Sequence, residues 1–136
     1  MKDSIFLDSN IFLYAFSTKD LAKQRIASSL VIKPMTISTQ VINEVSNNLL
    51  KKLKFSNNNI AEFVEDCYIK YRVIDFTKNI FIKASELREQ YNFSYYDSLI
   101  VSSALLSHST TLYSEDMHHD LVIEKQLTII NPFIEV

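Results

Sequence analysis

Short apolar stretches alternate with segments of helical periodicity along almost the whole chain. Several of the helical segments begin after a serine or threonine that is suited to cap a helix. Strands are predicted over residues 5–7, 35–38, 72–76, 112–114 and 127–130. Short apolar strands that alternate with helices indicate an α/β fold with a central, mostly parallel sheet flanked by helices.

Four acidic side chains are embedded in this pattern. Two end strand-like stretches and two lie within predicted helices; the four are Asp8, Asp116, Glu44 and Asp97. Functional residues of parallel sheets collect beyond the carboxyl ends of the strands, and helices that follow strands approach the same edge. Because carboxylates repel one another and are costly to bury, four of them placed against a core suggest a shared cation.

Each acid also has an ordinary explanation when it is taken alone. Ser94 and Asp97 match a helix-capping pattern, in which the helix dipole favours an acid in the first turn. Asp8 is suited to cap the helix that follows the first strand, and Glu44 to occupy a solvated helix edge. Asp116 stands next to a second acid, as in a plain acidic turn. The hypothesis of a metal site therefore rests on the four acids together.

Composition limits the class of protein and of partner. A chain of 136 residues with 47% hydrophobic content is expected to form one domain over residues 1–136. No apolar run approaches the ~20 residues of a membrane helix, and a single cysteine favours a reduced, cytoplasmic setting. The four acids contribute −4 to a formal net charge of −2, so the other residues carry +2 and permit an RNA-binding face.

The absence of glycine and the presence of four acids narrow the kinds of reaction that the chain can support. Phosphate cradles of the P-loop and dinucleotide-binding kinds need glycine-rich loops, and this chain contains no glycine. Carboxylates are hard oxygen ligands, which suit Mg²⁺ or Mn²⁺ better than zinc. Such ions contact substrate phosphate and generate a nucleophile from water, so hydrolysis of a phosphodiester is the chemistry that the acids favour.

Four motifs and a C-terminal ending carry a resemblance to a known family. They are Phe6-Leu7-Asp8-Ser9-Asn10, Gln40-Val41-Ile42-Asn43-Glu44, Ser94-Tyr95-Tyr96-Asp97-Ser98-Leu99-Ile100, Leu112-Tyr113-Ser114-Glu115-Asp116-Met117 and Asn131-Pro132-Phe133. In this order the chain resembles the PIN-domain ribonucleases, specifically the VapC-like toxins of bacterial type II toxin–antitoxin pairs. The resemblance runs nearly end to end and implies a PIN-like three-layer sandwich.

The resemblance also implies roles for individual residues. The implied catalytic residues and metal ligands are Asp8, Glu44, Asp97 and Asp116, with Mg²⁺ as the ion and Mn²⁺ as its substitute. Candidates for supporting roles are Ser9, Asn10, Ser114 and Glu115. Ser9 replaces a more usual threonine and keeps its hydroxyl, and Asn10 is suited to orient the first acid or a metal-bound water. Whether Glu115 or Asp116 reaches the metal stays open, with Asp116 favoured. Asp120 stands where relatives often carry glycine.

Activity and partners follow from the same resemblance. It implies an Mg²⁺-dependent endoribonuclease acting on structured RNA such as transfer RNA, and a homodimer bound by an antitoxin segment near the acids. No membrane is implied. Two alternatives stay open: a PIN nuclease outside toxin systems, in RNA processing or on DNA, and a degenerate PIN domain that only binds. The degenerate domain predicts the loss of at least one acid, and all four are present.

Overall fold

The computed structural model describes residues 4–134, which form six strands and six helices. The strands are β1 (Ile5–Leu7), β2 (Thr36–Ser38), β3 (Arg72–Ile74), β4 (Thr111–Tyr113), β5 (Val122–Ile123) and β6 (Leu127–Ile130). The helices are α1 (Ser9–Phe16), α2 (Leu21–Val31), α3 (Thr39–Lys51), α4 (Asn57–Lys70), α5 (Lys78–Gln90) and α6 (Tyr95–Leu106). No helix in this range is both long enough and apolar enough to cross a membrane.

The strands form one sheet in the order β3-β2-β1-β4-β6-β5. All neighbouring strands are parallel except β5 and β6, which are antiparallel. In the centre, Phe6 of β1 lies opposite Leu112 of β4 on one side and Thr36 of β2 on the other. The predicted three-layer α/β sandwich with a mostly parallel central sheet is therefore confirmed.

The central strands are buried on both faces. The side chains with no exposed surface include Phe6, Leu7, Ile37, Leu112 and Ile129. Full burial of a side chain of this size stabilises the folded state by about 1.5–3 kcal/mol, so the strands are firmly held. Polar residues that follow directly after these strands are consequently carried on a rigid base.

Every described helix begins after a residue whose side chain accepts a backbone N–H. These caps are Asp8, Asp20, Ser38, Ser56, Thr77 and Ser94. Such caps are worth about 1 kcal/mol each, which explains why the predicted helix starts agree well with the structure. Asp8 comes directly after β1 and Ser38 is the last residue of β2, so α1 and α3 begin at the carboxyl edge of the sheet.

The differences from the predicted elements lie at short strands and at ends. β5 is not predicted from the sequence, because two residues are too few for a recognisable alternation. The strand predicted over residues 112–114 begins and ends one residue earlier, and Ser114 lies beyond the end of β4. The strand predicted over residues 72–76 ends two residues early, the usual uncertainty at element ends.

The turns of this glycine-free chain place other residues in the left-handed region. The residues with positive φ are Lys54, His108, Asp120, Glu124 and Lys125. Lys54 and His108 follow the ends of α3 and α6, a position that usually carries glycine. Glu124 and Lys125 form the turn between β5 and β6, where positive φ at both central residues matches the strand twist. Asp120, with φ of 68°, adopts the conformation that glycine would adopt more easily.

Candidate active site

The carboxyl ends of β1 and β4 define a crevice in the middle of the sheet edge. β1 is connected through α1 and α2 to its neighbour β2, whereas its other neighbour, β4, is reached through α5 and α6. Where crossovers diverge in this way, a parallel sheet has a crevice at the strand ends, and ligands bind there. Asp8 follows β1 directly, and Asp116 follows shortly after β4.

Asp8 is the most buried of the four predicted acids, with 4% of its surface exposed. The Ser9 amide donates to its Oδ1 at 2.7 Å, and the Ser114 hydroxyl donates to its Oδ2 at 2.8 Å. Burial raises the pKa of Asp8 to about 7; the hydrogen bonds from Ser114 and Ser9 lower it, and the charges of Glu44 and Asp97 raise it. Asp8 therefore caps α1, and its carboxylate is also oriented at both oxygens without a compensating charge.

Ser9 links Asp8 to Glu44. The Ser9 hydroxyl donates to Glu44 Oε2 at 3.0 Å and lies 3.4 Å from Asp8 Oδ1. Gln40, one turn earlier on α3, donates to Glu44 Oε1 at 2.9 Å. Glu44 is thus a half-buried, oriented side chain and not a solvated edge residue.

Asp97 lies in the first turn of α6 and is half-buried. The Asp97 amide donates to the Ser94 hydroxyl at 3.2 Å, so the cap of the helix is Ser94. Burial raises the pKa of Asp97, the Ser94 hydroxyl lowers it, and the carboxylates of Asp116 and Glu44 raise it. Asp97 is therefore an acid whose ionised form is opposed by burial and by two of the other predicted acids.

Glu115 and Asp116 are adjacent in sequence and have different partners. Glu115 accepts hydrogen bonds from the Tyr14 hydroxyl and from the Lys23 ammonium, each at 2.5 Å. The contact with Glu115 raises the pKa of both Tyr14 and Lys23. Asp116 is exposed and accepts a hydrogen bond from Asn10 Nδ2 at 3.1 Å. Lys23 therefore compensates the charge of Glu115, while Asp116 keeps its own.

The donor set of the crevice fits a hydrated divalent ion. Among residues 4–134, none of the four acids takes part in an ion pair with a lysine, an arginine or a histidine. In the same range, no group of three or more His, Cys, Asp or Glu side chains is placed to hold one metal ion between them. Mg²⁺ usually keeps several waters and uses only one or two carboxylates, so a closed cage is not required. Oxygen-only donors with uncompensated charge suit such an ion.

The supporting residues divide into those that the sequence indicates and those that it does not. Ser9, Asn10 and Ser114 each donate a hydrogen bond to one of the four acids. Gln40 is a further supporting residue, which is not among the candidates named from the sequence. Its spacing of four residues from Glu44 within a helix is a recognisable signal of contact between the two side chains. The partners of Glu115 have no such signal, because Tyr14 and Lys23 are 101 and 92 positions away in sequence.

A mostly parallel six-stranded sheet with helices on its faces and acids near the carboxyl ends of its central strands defines the class: an α/β domain. Comparison with family models makes this specific, since residues 5–123 match the model described as the PIN domain. The chain belongs to the PIN-domain family. No curated protein sequence matches it.

Solved structures share the fold over most of the chain. A chain of a toxin–antitoxin complex from Klebsiella pneumoniae has a TM-score of 0.71 at 20% identity, covering 96% of this chain and 98% of that one. VapC20 from Mycobacterium tuberculosis, a toxin that cleaves the sarcin-ricin loop, has a TM-score of 0.65 at 17% identity, covering 83% and 90%. VapBC2 from Rickettsia felis, bound to a DNA fragment from its promoter, has a TM-score of 0.65 at 20% identity, covering 93% and 98%. At these identities the likeness shows the common fold.

Proposed function

We propose that this chain is an Mg²⁺- or Mn²⁺-dependent endoribonuclease and the toxin of a toxin–antitoxin pair. The observation that carries the proposal is the environment of Asp8. Two hydrogen bonds fix this carboxylate, and burial raises its pKa to about 7, with a smaller contribution from the charges of Glu44 and Asp97. It has no basic partner among residues 4–134. Such an arrangement is costly for a fold without a cation and favourable with one.

The chain's own residues have separate tasks in this reaction. One or two of the acids Asp8, Glu44, Asp97 and Asp116 would hold the ion directly, and the others would act through its waters. The bound ion would supply Lewis acidity toward the scissile phosphate and the attacking water. Ser9 and Ser114 keep Asp8 in one orientation, and Asn10 does the same for Asp116. Without a cation, the four negative charges repel a phosphodiester, so binding of RNA at the crevice depends on the ion.

RNA is the proposed substrate because two observations point the same way. VapC20, which shares the fold, is described as a toxin that cleaves the sarcin-ricin loop, a structured RNA. The residues outside the four acids carry +2, so a neutralised crevice leaves a mildly basic chain. Structured RNA, including transfer RNA, is therefore the substrate class to test first, in a cytoplasmic setting.

An antitoxin and a second copy of the chain are the proposed partners. The fold is shared with chains of toxin–antitoxin complexes, which supports a small antitoxin that covers the acids. Large apolar side chains are also exposed, among them Ile69 at 84% and Ile32 at 69%. Light scattering during size-exclusion chromatography is expected to give the mass of a homodimer, and a monomer at all concentrations would contradict that part.

A cleavage assay tests the central proposal. Purified protein is incubated with total RNA in Mg²⁺ or in EDTA, and new RNA ends are located by sequencing. We expect discrete cleavage sites in Mg²⁺, none in EDTA and none with Asp8→Asn. Cleavage that persists in EDTA, or no cleavage of any RNA, would reject the proposal.

The two alternatives are tested in the same assay. Single-stranded and double-stranded DNA are added as separate substrates, and preferential cleavage of DNA would favour a nuclease outside toxin systems. A domain that only binds predicts retention of RNA without cleavage under every metal condition. The presence of all four acids argues against that outcome.

A further inference from the structure

A cavity of about 350 Å³ opens beside Asp116, one of the four acids. It lies among α1, the segment that leads into α2, and the end of α3. Asn10, Glu115 and Asp116 line the cavity, so it is continuous with the candidate active site. Its volume lies at the lower end of the range of small-molecule sites, which suits an occupant of the size of one nucleotide.

The walls of the cavity are apolar and include one fixed aromatic ring. Leu13, Tyr14 and Leu53 supply the apolar surface. The Tyr14 hydroxyl is bonded to Glu115, and its ring packs edge to face against Phe133 with the ring centroids 4.9 Å apart. A ring held at both its hydroxyl and its edge keeps its position when a ligand enters. Nucleobases bind well to surfaces of this kind, since every base has a flat apolar face.

The rim of the cavity carries lysines whose charge is not used elsewhere. Lys19 and Lys52 line it and are exposed, and neither forms an ion pair with an acid among residues 4–134. Of the lining acids, Glu115 is paired with the Lys23 ammonium, whereas Asp20 accepts only the amide of Lys23 at 3.1 Å and keeps its charge. Lys19 and Lys52 are therefore suited to contact a phosphate at the rim once a cation neutralises the neighbouring acids of the crevice.

We propose that this cavity binds one unpaired nucleotide of the RNA strand, adjacent to the phosphate that is cut. The base lies against Leu13, Tyr14 and Leu53, and Lys19 and Lys52 contact the backbone phosphate. Asn48 lines the same cavity, and its Nδ2 donates to the Glu44 carbonyl at 2.8 Å, which leaves its Oδ1 and second N–H for the edge of the base. The inference rests on the proposed function, because the acids define which phosphate is cut. A purely apolar segment of a protein partner would have no use for the two lysines.

A binding experiment without catalysis tests the inference separately from cleavage. Backbone NMR spectra of the wild-type protein are recorded in Mg²⁺ with AMP, CMP, GMP or UMP, with ribose 5-phosphate, or with a Leu-Trp-Leu tripeptide, none of which contains a phosphodiester that could be cut. We expect at least one nucleotide to shift the signals of Leu53 and Tyr14, while ribose 5-phosphate shifts only those near the lysines. Shifts caused by the tripeptide and by no nucleotide would overturn the inference in favour of a protein groove. Equal effects of nucleotides and ribose 5-phosphate would overturn the base-binding part.

Matched variants extend the test to the cleavage reaction. Lys52→Ala is compared with Lys51→Ala, a neighbour of equal charge that does not line the cavity, and Asn48→Ala with the exposed Asn47→Ala. Lys52→Ala is expected to raise KM about tenfold, the effect of losing one charge-assisted contact, with Lys51→Ala within about twofold of wild type. Asn48→Ala is expected to relax the base preference next to the cut site, and Asn47→Ala to leave it unchanged.

The outcomes separate the two proposals. If wild type cleaves RNA and both members of each pair behave alike, the cavity inference fails and the nuclease proposal stands. If wild type cleaves no RNA and nucleotides still shift the cavity signals, the nuclease proposal fails and the site remains a nucleotide site. A folding defect in Asn48→Ala would be visible in its NMR spectrum, and the lysine pair then decides alone.

Discussion

The crevice around Asp8 and the cluster of Tyr14, Lys23 and Glu115 surround the same chemical group in opposite ways. In this cluster, called here the Lys23 cluster, a carboxylate meets an ammonium group and a phenol hydroxyl. In the crevice, a carboxylate meets an amide, a hydroxyl and further carboxylates. Both regions join α1 to the segment after β4, so the difference comes from the partners and not from the position in the fold.

The comparison separates an acid whose charge is neutralised within the chain from acids whose charge only a bound cation could neutralise. The Lys23 cluster completes its charges within the chain and supports the fold under all metal conditions. The crevice leaves its charges uncompensated, so it weakens the metal-free fold and gains when a cation binds. The side-chain partner therefore decides which role an acid of a sequence motif is given. Glu115 is paired with the Lys23 ammonium, whereas Asp116 accepts a hydrogen bond from the neutral Asn10 amide.

The largest expected effect comes from removing the central charge of the crevice. Asp8→Asn is expected to reduce RNA cleavage by roughly 10³-fold or more, because an amide is a poor ligand for the ion that the reaction needs. The control is Asp66→Asn, which makes the same change at an exposed position on α4 and is expected to cleave like wild type. Initial cleavage rates in Mg²⁺ measure both, and near-normal activity of Asp8→Asn would remove Asp8 from catalysis.

The same variant is expected to stabilise the metal-free protein. Since the folded pKa of Asp8, about 7, lies above its ordinary value of 3.8, the folded state binds more protons between these values. The contribution of Asp8 to stability therefore falls as the pH rises from about 4 to about 7. Asparagine keeps one of the two oxygen acceptors, so we expect a gain of about 1–3 kcal/mol at pH 8 and little gain at pH 4.

Urea unfolding in EDTA at several pH values measures this gain. Asp66→Asn serves as the control and is expected to follow wild type. Loss of stability in Asp8→Asn at pH 8 would mean that the carboxylate supports the fold, as a plain helix cap does, and would weaken the contrast with the Lys23 cluster.

A smaller effect is expected from the hydroxyl that orients Asp8. Ser114→Ala removes the donor at 2.8 Å from Oδ2 and should weaken Mn²⁺ binding about tenfold, a usual result of deleting a residue that positions a metal ligand. Isothermal titration calorimetry measures the affinity without RNA. The control is Ser29→Ala, which removes an exposed hydroxyl from α2 whose partner is the Ile26 carbonyl of the same helix. Equal affinities in wild type and Ser114→Ala would show that the crevice does not depend on this contact.

The smallest expected effect comes from making the Lys23 cluster resemble the crevice. Lys23→Met leaves Glu115 without its cation and is expected to cost about 1 kcal/mol of stability, since the pair is partly exposed. Adding Glu115→Gln should recover most of this loss, and the double-mutant cycle gives the coupling between the two side chains. Urea unfolding near pH 7 is the measurement. A coupling of zero would mean that Glu115 is not held by Lys23 in solution.

Much of the frame of the site follows from local sequence. A short buried strand followed at once by Asp8 predicts an acid at the strand's carboxyl end, and Ser94 before Asp97 predicts where α6 begins. These features are local, and capping and burial decide them. The contacts of Ser114 with Asp8 and of Lys23 with Glu115 are not local, since 106 and 92 positions separate the partners. They depend on β1 and β4 lying side by side, which a single sequence does not encode in any short motif.

The order of the acids along the chain has a consequence for protein synthesis. Asp8 and Glu44 precede α4, whereas Asp97 and Asp116 follow α5, and the Ser114 amide is held by the Ile130 carbonyl at 3.0 Å. A polypeptide still emerging from the ribosome therefore holds half of the acids and none of the final strand that supports the rest. If the proposed activity is correct, the nuclease is harmless to its own messenger RNA until translation is nearly complete, and fragments released before α6 are harmless as well.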